Sequence, residues 1–399
     1  MNALAVSAGL ISLIAFAALA ETPEVIAEKG VAFLDAGKFD EAERQFLQAL
    51  KINPKLVAAQ NLMGVVLDQQ GRHKEARSYF EKALALDNEY APAHANLGLN
   101  AVQSGDFSLA TREFRRALKL DPRAQNTSAI RYNLALVLYR SGEYDQSLRV
   151  LQGIPNTARD AEYFAAAGSN HRELGQGQEA VANLEKALAM DPRNTAFLYD
   201  LAITLIQNGS VPEAIDRLLS GVKDNPNSAE LYAALGVAYY ASGNDPRATD
   251  NYKTALRLEP DAADLHSSLG DLYFAAASYE KSTAEYEAAS QLDPKNASYL
   301  VKEGRNWLRL QQPAKAEALF QKAAALDPTS AEAYLNLGKL ASHRRDDSTA
   351  IRYLEHALAL QPDNSSALYE LGLTYRKTGQ PAKAAAALKR FRELKASSQ

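Results

Sequence analysis

Small and large apolar positions alternate along this chain with a period of 34 residues, and each period holds two helix-length blocks. Gly30, Gly64 and Gly98 are 34 residues apart, as are Gly236, Gly270, Gly304, Gly338 and Gly372, with Ala135, Gly168 and Ala202 in the same slot between the two runs. Self-similarity of this kind marks a stacked repeat array. Twelve residues after each comes a second small residue, from Ala42 and Ala76 through Ser147 and Ser282 to Ala384. Four residues further on sits a large apolar one: Phe46, Phe80, Phe114, Tyr252, Tyr286, Phe320, or Leu in the others. Two small slots at fixed separation predict two helices in close approach, with the large residue filling the gap between them.

Punctuation falls where such helices must end. Pro54, Pro122, Pro192, Pro226, Pro260, Pro294, Pro328 and Pro362 close most periods, and proline, lacking an amide hydrogen, stops the second helix there. Polar residues just beyond, such as Asn296, Ser330 and Ser365, are placed to cap the helix that follows. Gly37, Gly71, Gly105 and their equivalents mark the turn between the two helices of a period. About eleven helix-turn-helix units are predicted over 23–398, starting near 23, 57, 91, 128, 161, 195, 229, 263, 297, 331 and 365.

This arrangement resembles the tetratricopeptide repeat family, whose 34-residue units carry large residues at positions 4, 7, 11 and 24 and small ones at 8, 20 and 27. The resemblance covers about nine-tenths of the chain. It implies an all-α fold, a right-handed superhelical solenoid, with a concave groove of first helices where extended peptides or helices dock. Since one repeat cannot bury its apolar face alone, neighbours stack, and stability is roughly a sum over units and their interfaces.

Composition agrees and narrows the chemistry. Apolar residues make up 47%, dominated by Ala, which favours helix over sheet. A formal charge of −4 supplies no basic footprint for a nucleic-acid backbone. With no cysteine, disulfides, thiolate metal sites and cysteine nucleophiles are excluded. The six histidines form no metal or catalytic pattern: His94 and His266 take unit position 4, His171 position 11 and His73 position 17, where an aromatic normally packs. Gly175-Gln176-Gly177 falls at an interhelical turn with no preceding strand, and no phosphate loop, His-Glu-x-x-His or Gly-x-Ser-x-Gly is present. The expectation is a non-catalytic protein with no cofactor and no metal.

Residues Ala3 to Ala20 carry no charge and end in Ala18-Leu19-Ala20 before Glu21, the small-x-small pattern of a signal-peptidase site. Residues 1–20 are therefore expected to be a signal peptide or a membrane anchor, placing the array outside the cytoplasm of a bacterial cell, exported or membrane-bound.

Three departures stand out. The fourth unit follows three inserted residues, Gln125 to Thr127, carries Arg131 in a usually aromatic slot and ends early at Ile154-Pro155, which predicts a looser joint. Glu303 takes a slot that normally holds Leu, so a nearby Lys or Arg is expected to pair with it. The last unit carries seven basic residues, from Arg376 to Lys395, against Glu370 and Glu393.

At about 100° per residue, unit positions 4, 7, 8 and 11 share the core face of the first helix, and positions 2, 5, 6, 9, 12 and 13 fall opposite. Position 9 reads Val31, Val65, Leu99, Leu136, Ser169, Ile203 and Val237, then turns to Asp271, Arg305 and Lys339 before Leu373. Tyr132 and Tyr199 occupy position 5, Tyr139 and Tyr240 position 12, and Asn96, Asn133, Asp200 and Asn336 position 6. Tyrosine gives large contact area with little entropy loss, and side-chain amides can pair with a ligand main chain. These eight are the candidate groove residues of a scaffold that binds a protein or peptide segment. The family's carboxylate clamp is absent. Alternatives are a membrane-anchored accessory factor for envelope assembly or secretion, held through residues 1–20, and a regulatory subunit of a separate enzyme.

Overall fold

The computed structural model describes residues 21–397; the expected leader or anchor at 1–20 and the expected array limit at 398 lie outside the described residues. Every element described is helical, and the helices fall into two compact units divided at Gln176 and Gly177.

The first unit holds α1 (Pro23–Asp35), α2 (Phe39–Ile52), α3 (Val57–Gln69), α4 (His73–Leu86), α5 (Ala91–Gln103), α6 (Phe107–Leu120), α7 (Thr127–Arg140), α8 (Tyr144–Gln152) and α9 (Ala161–Glu173). The second holds α10 (Gly177–Met190), α11 (Thr195–Gln207), α12 (Val211–Asp224), α13 (Ala229–Ala241), α14 (Asp245–Leu258), α15 (Ala263–Ala275) and α16 (Tyr279–Leu292). It continues with α17 (Ala297–Arg309), α18 (Pro313–Leu326), α19 (Ala331–His343), α20 (Asp347–Leu360), α21 (Ser365–Lys377) and α22 (Pro381–Ser397). Within each unit successive helix pairs stack, and first helices such as α3 and α5, or α11 and α13, also touch one another. This is the all-α repeat solenoid that the spacing predicts.

Close approach explains the glycine slot. A Cβ on Gly64 would lie 2.5 Å from the Phe80 ring, and one on Gly304 would lie 2.6 Å from Phe320. Both rings are fully buried, so nothing can move aside. Where the slot is Ala135 or Ala202, the facing residue is the smaller Leu151 or Leu218. The second small slot is equally tight: Ala42, Ala76, Ala110 and Ala316 are 0% exposed. Ser147 and Ser282 fit there because each hydroxyl donates to the carbonyl opposite, Ala135 and Gly270, at 2.7 Å.

Caps follow the expected residue types with one shift. Asn296 accepts from the Ser298 amide at 3.1 Å and Ser330 from Ala333 at 3.4 Å. The cap of α21 is Asn364, which accepts from Ala367 at 3.0 Å, and Ser365 is the first helical residue instead. Pair four is shortened: α8 has nine residues against fourteen in second helices such as α2, α4 and α6, and Asn156–Ala158 forms a 3₁₀ turn after it. Arg159 braces that turn, donating to the Ile154 carbonyl at 3.1 Å with its guanidinium over the Tyr163 ring.

A candidate binding face on the first helices

In the first unit, α1, α3, α5 and α7 present the same slot in turn as Val31, Val65, Leu99 and Leu136. The two valines are half-buried, while Leu99 is 43% and Leu136 36% exposed. An exposed Leu repeated in one slot leaves a row of apolar surface open. Covering the exposed part of one such side chain, about two-fifths of it, is worth about 0.6–1.2 kcal/mol.

The polar candidates of this unit border that row. Asn96 is half-buried and donates to Asn61 Oδ1 at 3.0 Å, while Asn133 is half-buried one pair further on. Tyr132 sits beside Asn133, its phenol pushed up to about 12 by burial and then by Glu162 and Asp160. At neutral pH it is therefore a hydrogen-bond donor. Tyr139 donates to Glu173 at 3.4 Å and meets the Tyr144 ring edge-on at 5.4 Å.

In the second unit, Tyr199 and Asp200 of α11 are half-buried, and Tyr240 of α13 is 50% exposed. Burial, then Tyr199, Asp271 and Tyr240, pushes the Tyr252 phenol up to about 12. Glu230 near Asp200 is also raised, chiefly by burial, with the Thr195 hydrogen bond opposing. Asn336 differs from the rest. It is 7% exposed, and its amide donates to the Glu332 carbonyl of its own helix at 2.8 Å, which leaves little for a ligand.

From α15 to α19 the slot turns charged, and Asp271 and Arg305 bond from helix to helix. Lys302 donates to Asp271 at 2.7 Å and to Ser267 at 2.9 Å, Tyr286 donates to the other Asp271 oxygen at 2.6 Å, and Tyr299 donates to Asp264 at 2.7 Å. Arg305 reaches Glu332 at 3.3 Å and lies over the Phe274 ring. Spacing alone flags the change to Asp271, Arg305 and Lys339. The pairing of Lys302 with Asp271, 31 residues away, becomes visible only once α15 and α17 are side by side.

Two expectations about polar residues are revised. Glu303 is 6% exposed and has no cation bonded to it: the Trp307 indole N–H donates to it at 3.0 Å, and burial raises its pKa despite that bond and the more distant Lys322. A neighbouring donor one turn away on the same helix replaces the expected ion pair. The position-4 histidines do more than fill an aromatic slot. His94 lies 2.6 Å from Glu113 and 3.1 Å from the Asn88 carbonyl; His266 repeats this with Glu285 at 2.7 Å and Pro260 at 3.1 Å. Each ring thereby ties a first helix both to its second helix and to the loop before it. Among the described residues no group of three or more His, Asp or Glu could hold a metal ion, and no helix is long and apolar enough to cross a membrane.

Stacked helix pairs with an open first-helix face define a repeat scaffold. Tetratricopeptide repeat profiles match residues 28–91, 67–125, 101–169, 171–238, 319–352 and 353–386, and a TPR repeat profile matches 238–276. The chain belongs to the tetratricopeptide repeat family, and as such it is a protein-interaction scaffold. No curated protein matches it. Among solved structures it is similar to a tetratricopeptide repeat protein from Parabacteroides merdae, at 18% identity over 63% of this chain and 98% of that one, with a TM-score of 0.49. It is also similar to yeast Tom70, at 14% identity over 93% and 92% of the two chains, TM-score 0.43. YrrB, described as a TPR protein with an unusual peptide-binding site, matches at 21% identity over 44% of this chain and 91% of that one, TM-score 0.36.

Proposed function

We propose that the first-helix face of the first unit captures an apolar or amphipathic segment of another protein. The open row of Leu99 and Leu136, continued by Val65 and Val31, carries this assignment. Apolar surface arranged in one line fits the side chains of an extended strand or one face of a helix. Tyr132, Tyr139, Asn96 and Asn133 flank it with phenols and amides that can pair with a ligand main chain. In the second unit, the phenols of Tyr199 and Tyr240 form a candidate contact surface of their own.

The test compares capture from an extract of the source organism by the full chain, by Leu99→Lys with Leu136→Lys, and by Tyr199→Ala with Tyr240→Ala. Mass spectrometry then quantifies what each retains. The leucine variant is expected to lose a specific partner at least tenfold, about 1.4 kcal/mol, with helicity unchanged. An identical set of partners on all three proteins would overturn the assignment.

The apolar run Ala3–Ala20 supports a second element of the proposal, that the scaffold works outside the cytoplasm, released or held at a membrane by residues 1–20. The mass of the mature protein and its partition between membrane and soluble fractions separate the two forms. Recovery of uncleaved chain in the cytoplasm would refute both.

A further inference from the structure

The last helix pair breaks the small-residue rule at the slots that elsewhere receive the next pair. Unit position 27 is Ala or Gly in every pair but the fourth, from Ala49 to Ala357, because a following first helix packs onto it; in α22 it is Phe391. The next position, Leu50, Leu84, Leu118 and Leu358 in other pairs, is Arg392. Phe391 stacks on Tyr369 at 5.2 Å, and Tyr369 remains 43% exposed. Beside them lies a 460 Å³ depression lined by Asp363, Ser365, Phe391, Leu394 and Lys395. The floor is aromatic and aliphatic, and the exposed rim on α22 carries Lys389, Arg390, Arg392 and Lys395; Glu393 pairs with Lys389 and Arg390, and Asp363 accepts from Arg390 at 2.6 Å.

Helix α1 carries the complementary surface. Its position 3 is Val25, 41% exposed, although the same slot is closed in most other pairs, as at Ala59, Ala93 and Leu231. Around Val25 the exposed side chains are Glu21, Glu24 and Glu28, with Lys29 paired to Glu21. Glu24 and Glu28 are four residues apart and share one face of α1; Arg392 and Lys395 are three apart and share one face of α22. Each edge thus presents a charged ridge beside an apolar residue, with opposite signs.

We propose that the end face of the last helix pair takes the α1 edge of a second copy of this chain. Val25 meets the Tyr369 and Phe391 pair, and Glu24 and Glu28 lie opposite Arg392 and Lys395. The two surfaces differ, so the contact is heterologous: each pair of molecules keeps one unused face of each kind, and association continues past the dimer. Charge pairs at such an interface steer encounter and weaken as salt shortens the screening length.

Sedimentation of the full chain across a concentration series tests this, at about 0.05 M and about 1 M salt, where the screening length falls from over 10 Å to about 3 Å. The average mass is expected to climb past twice 43.4 kDa at low salt and return toward 43.4 kDa at high salt. Glu24→Lys with Glu28→Lys should abolish the climb, as should Arg392→Glu with Lys395→Glu. An equimolar mixture of these two variants should restore it, since each then offers what the other lacks. That mixture guards against loss through misfolding. A monomer under every condition, association that survives high salt and both variants, or variants whose mixture stays monomeric would each overturn the proposal. Salt-resistant association would point instead to the apolar residues 1–20 or the first-helix row.

Discussion

The first-helix faces of the two units use the same slots for different ends. In the first unit Leu99 and Leu136 remain partly open to solvent, 43% and 36% exposed. In the second, from α15 to α19, the equivalent Asp271 and Arg305 are drawn into bonds with Lys302, Tyr286 and Glu332 on neighbouring helices. Charged groups that pair with their own scaffold cannot be recruited by a ligand without breaking those bonds. Apolar groups left in water gain from any partner that covers them. The proposed binding face therefore lies where the slot is apolar and exposed, while Asp271 and Arg305 fasten helix to helix.

The largest expected effect sharpens that contrast from the charged side. Glu303 is buried in a Leu slot with only the Trp307 indole bonded to it, so Glu303→Leu should stabilise the second unit by about 2 kcal/mol at neutral pH. Burial raises the folded-state pKa above the ordinary 4.5, so the folded chain holds the proton more tightly than the unfolded one. The penalty is present at neutral pH and fades as pH falls through the folded value toward 4.5. Denaturant unfolding of wild type, Glu303→Leu and Glu303→Gln should show gaps that close on acidification. A gap that widens in acid would mean the carboxylate is favoured where it lies.

A second, smaller effect tests whether the charged stretch is fastening alone. Arg305→Leu with Lys339→Leu removes two half-exposed or exposed charges and should cost at most about 1 kcal/mol of stability. Capture of the partner lost by the Leu99 and Leu136 variant should stay within about twofold, a difference of roughly 0.4 kcal/mol. Tenfold loss of that partner would bring the charged stretch from α15 to α19 into the binding face and dissolve the contrast.

Much of this was legible in spacing, because a repeat fold is built from local rules applied again and again. The Gly64 and Phe80 pairing, the proline stops and the turn glycines each lie within one period, so position alone implies contact. What spacing could not give depends on contacts between periods or on the direction of a side chain. Asn336 shares a slot with Asn96 and Asn133, yet its amide turns back to Glu332. Glu303 and Trp307 are one turn apart on α17, close enough to pair, but a search for opposite charge overlooks an indole donor. The histidine ties to Glu113 and Glu285 carried a visible signal, His at position 4 with Glu nineteen residues later in two pairs, which the aromatic-slot assignment hid.

The smallest effect lies in the turns of the same charged stretch. In eight turns the residue with left-handed backbone is glycine, such as Gly71 at φ 77°, but in pairs eight to ten it is Ala277, Gln311 and Arg345, at 53°, 57° and 63°. A side chain there costs roughly 1–2 kcal/mol; glycine removes that strain, but its greater freedom when unfolded offsets roughly 0.5–1 of the gain. Gln311→Gly should therefore stabilise its helix pair by about 0.5–1 kcal/mol. Hydrogen exchange in α17 and α18 should slow about two- to fivefold, while exchange in the first unit stays unchanged because repeat stability is local. Slowing in both units alike would show that the array opens as one body, and the separate duties of its two faces would then have to be carried by a single cooperative structure.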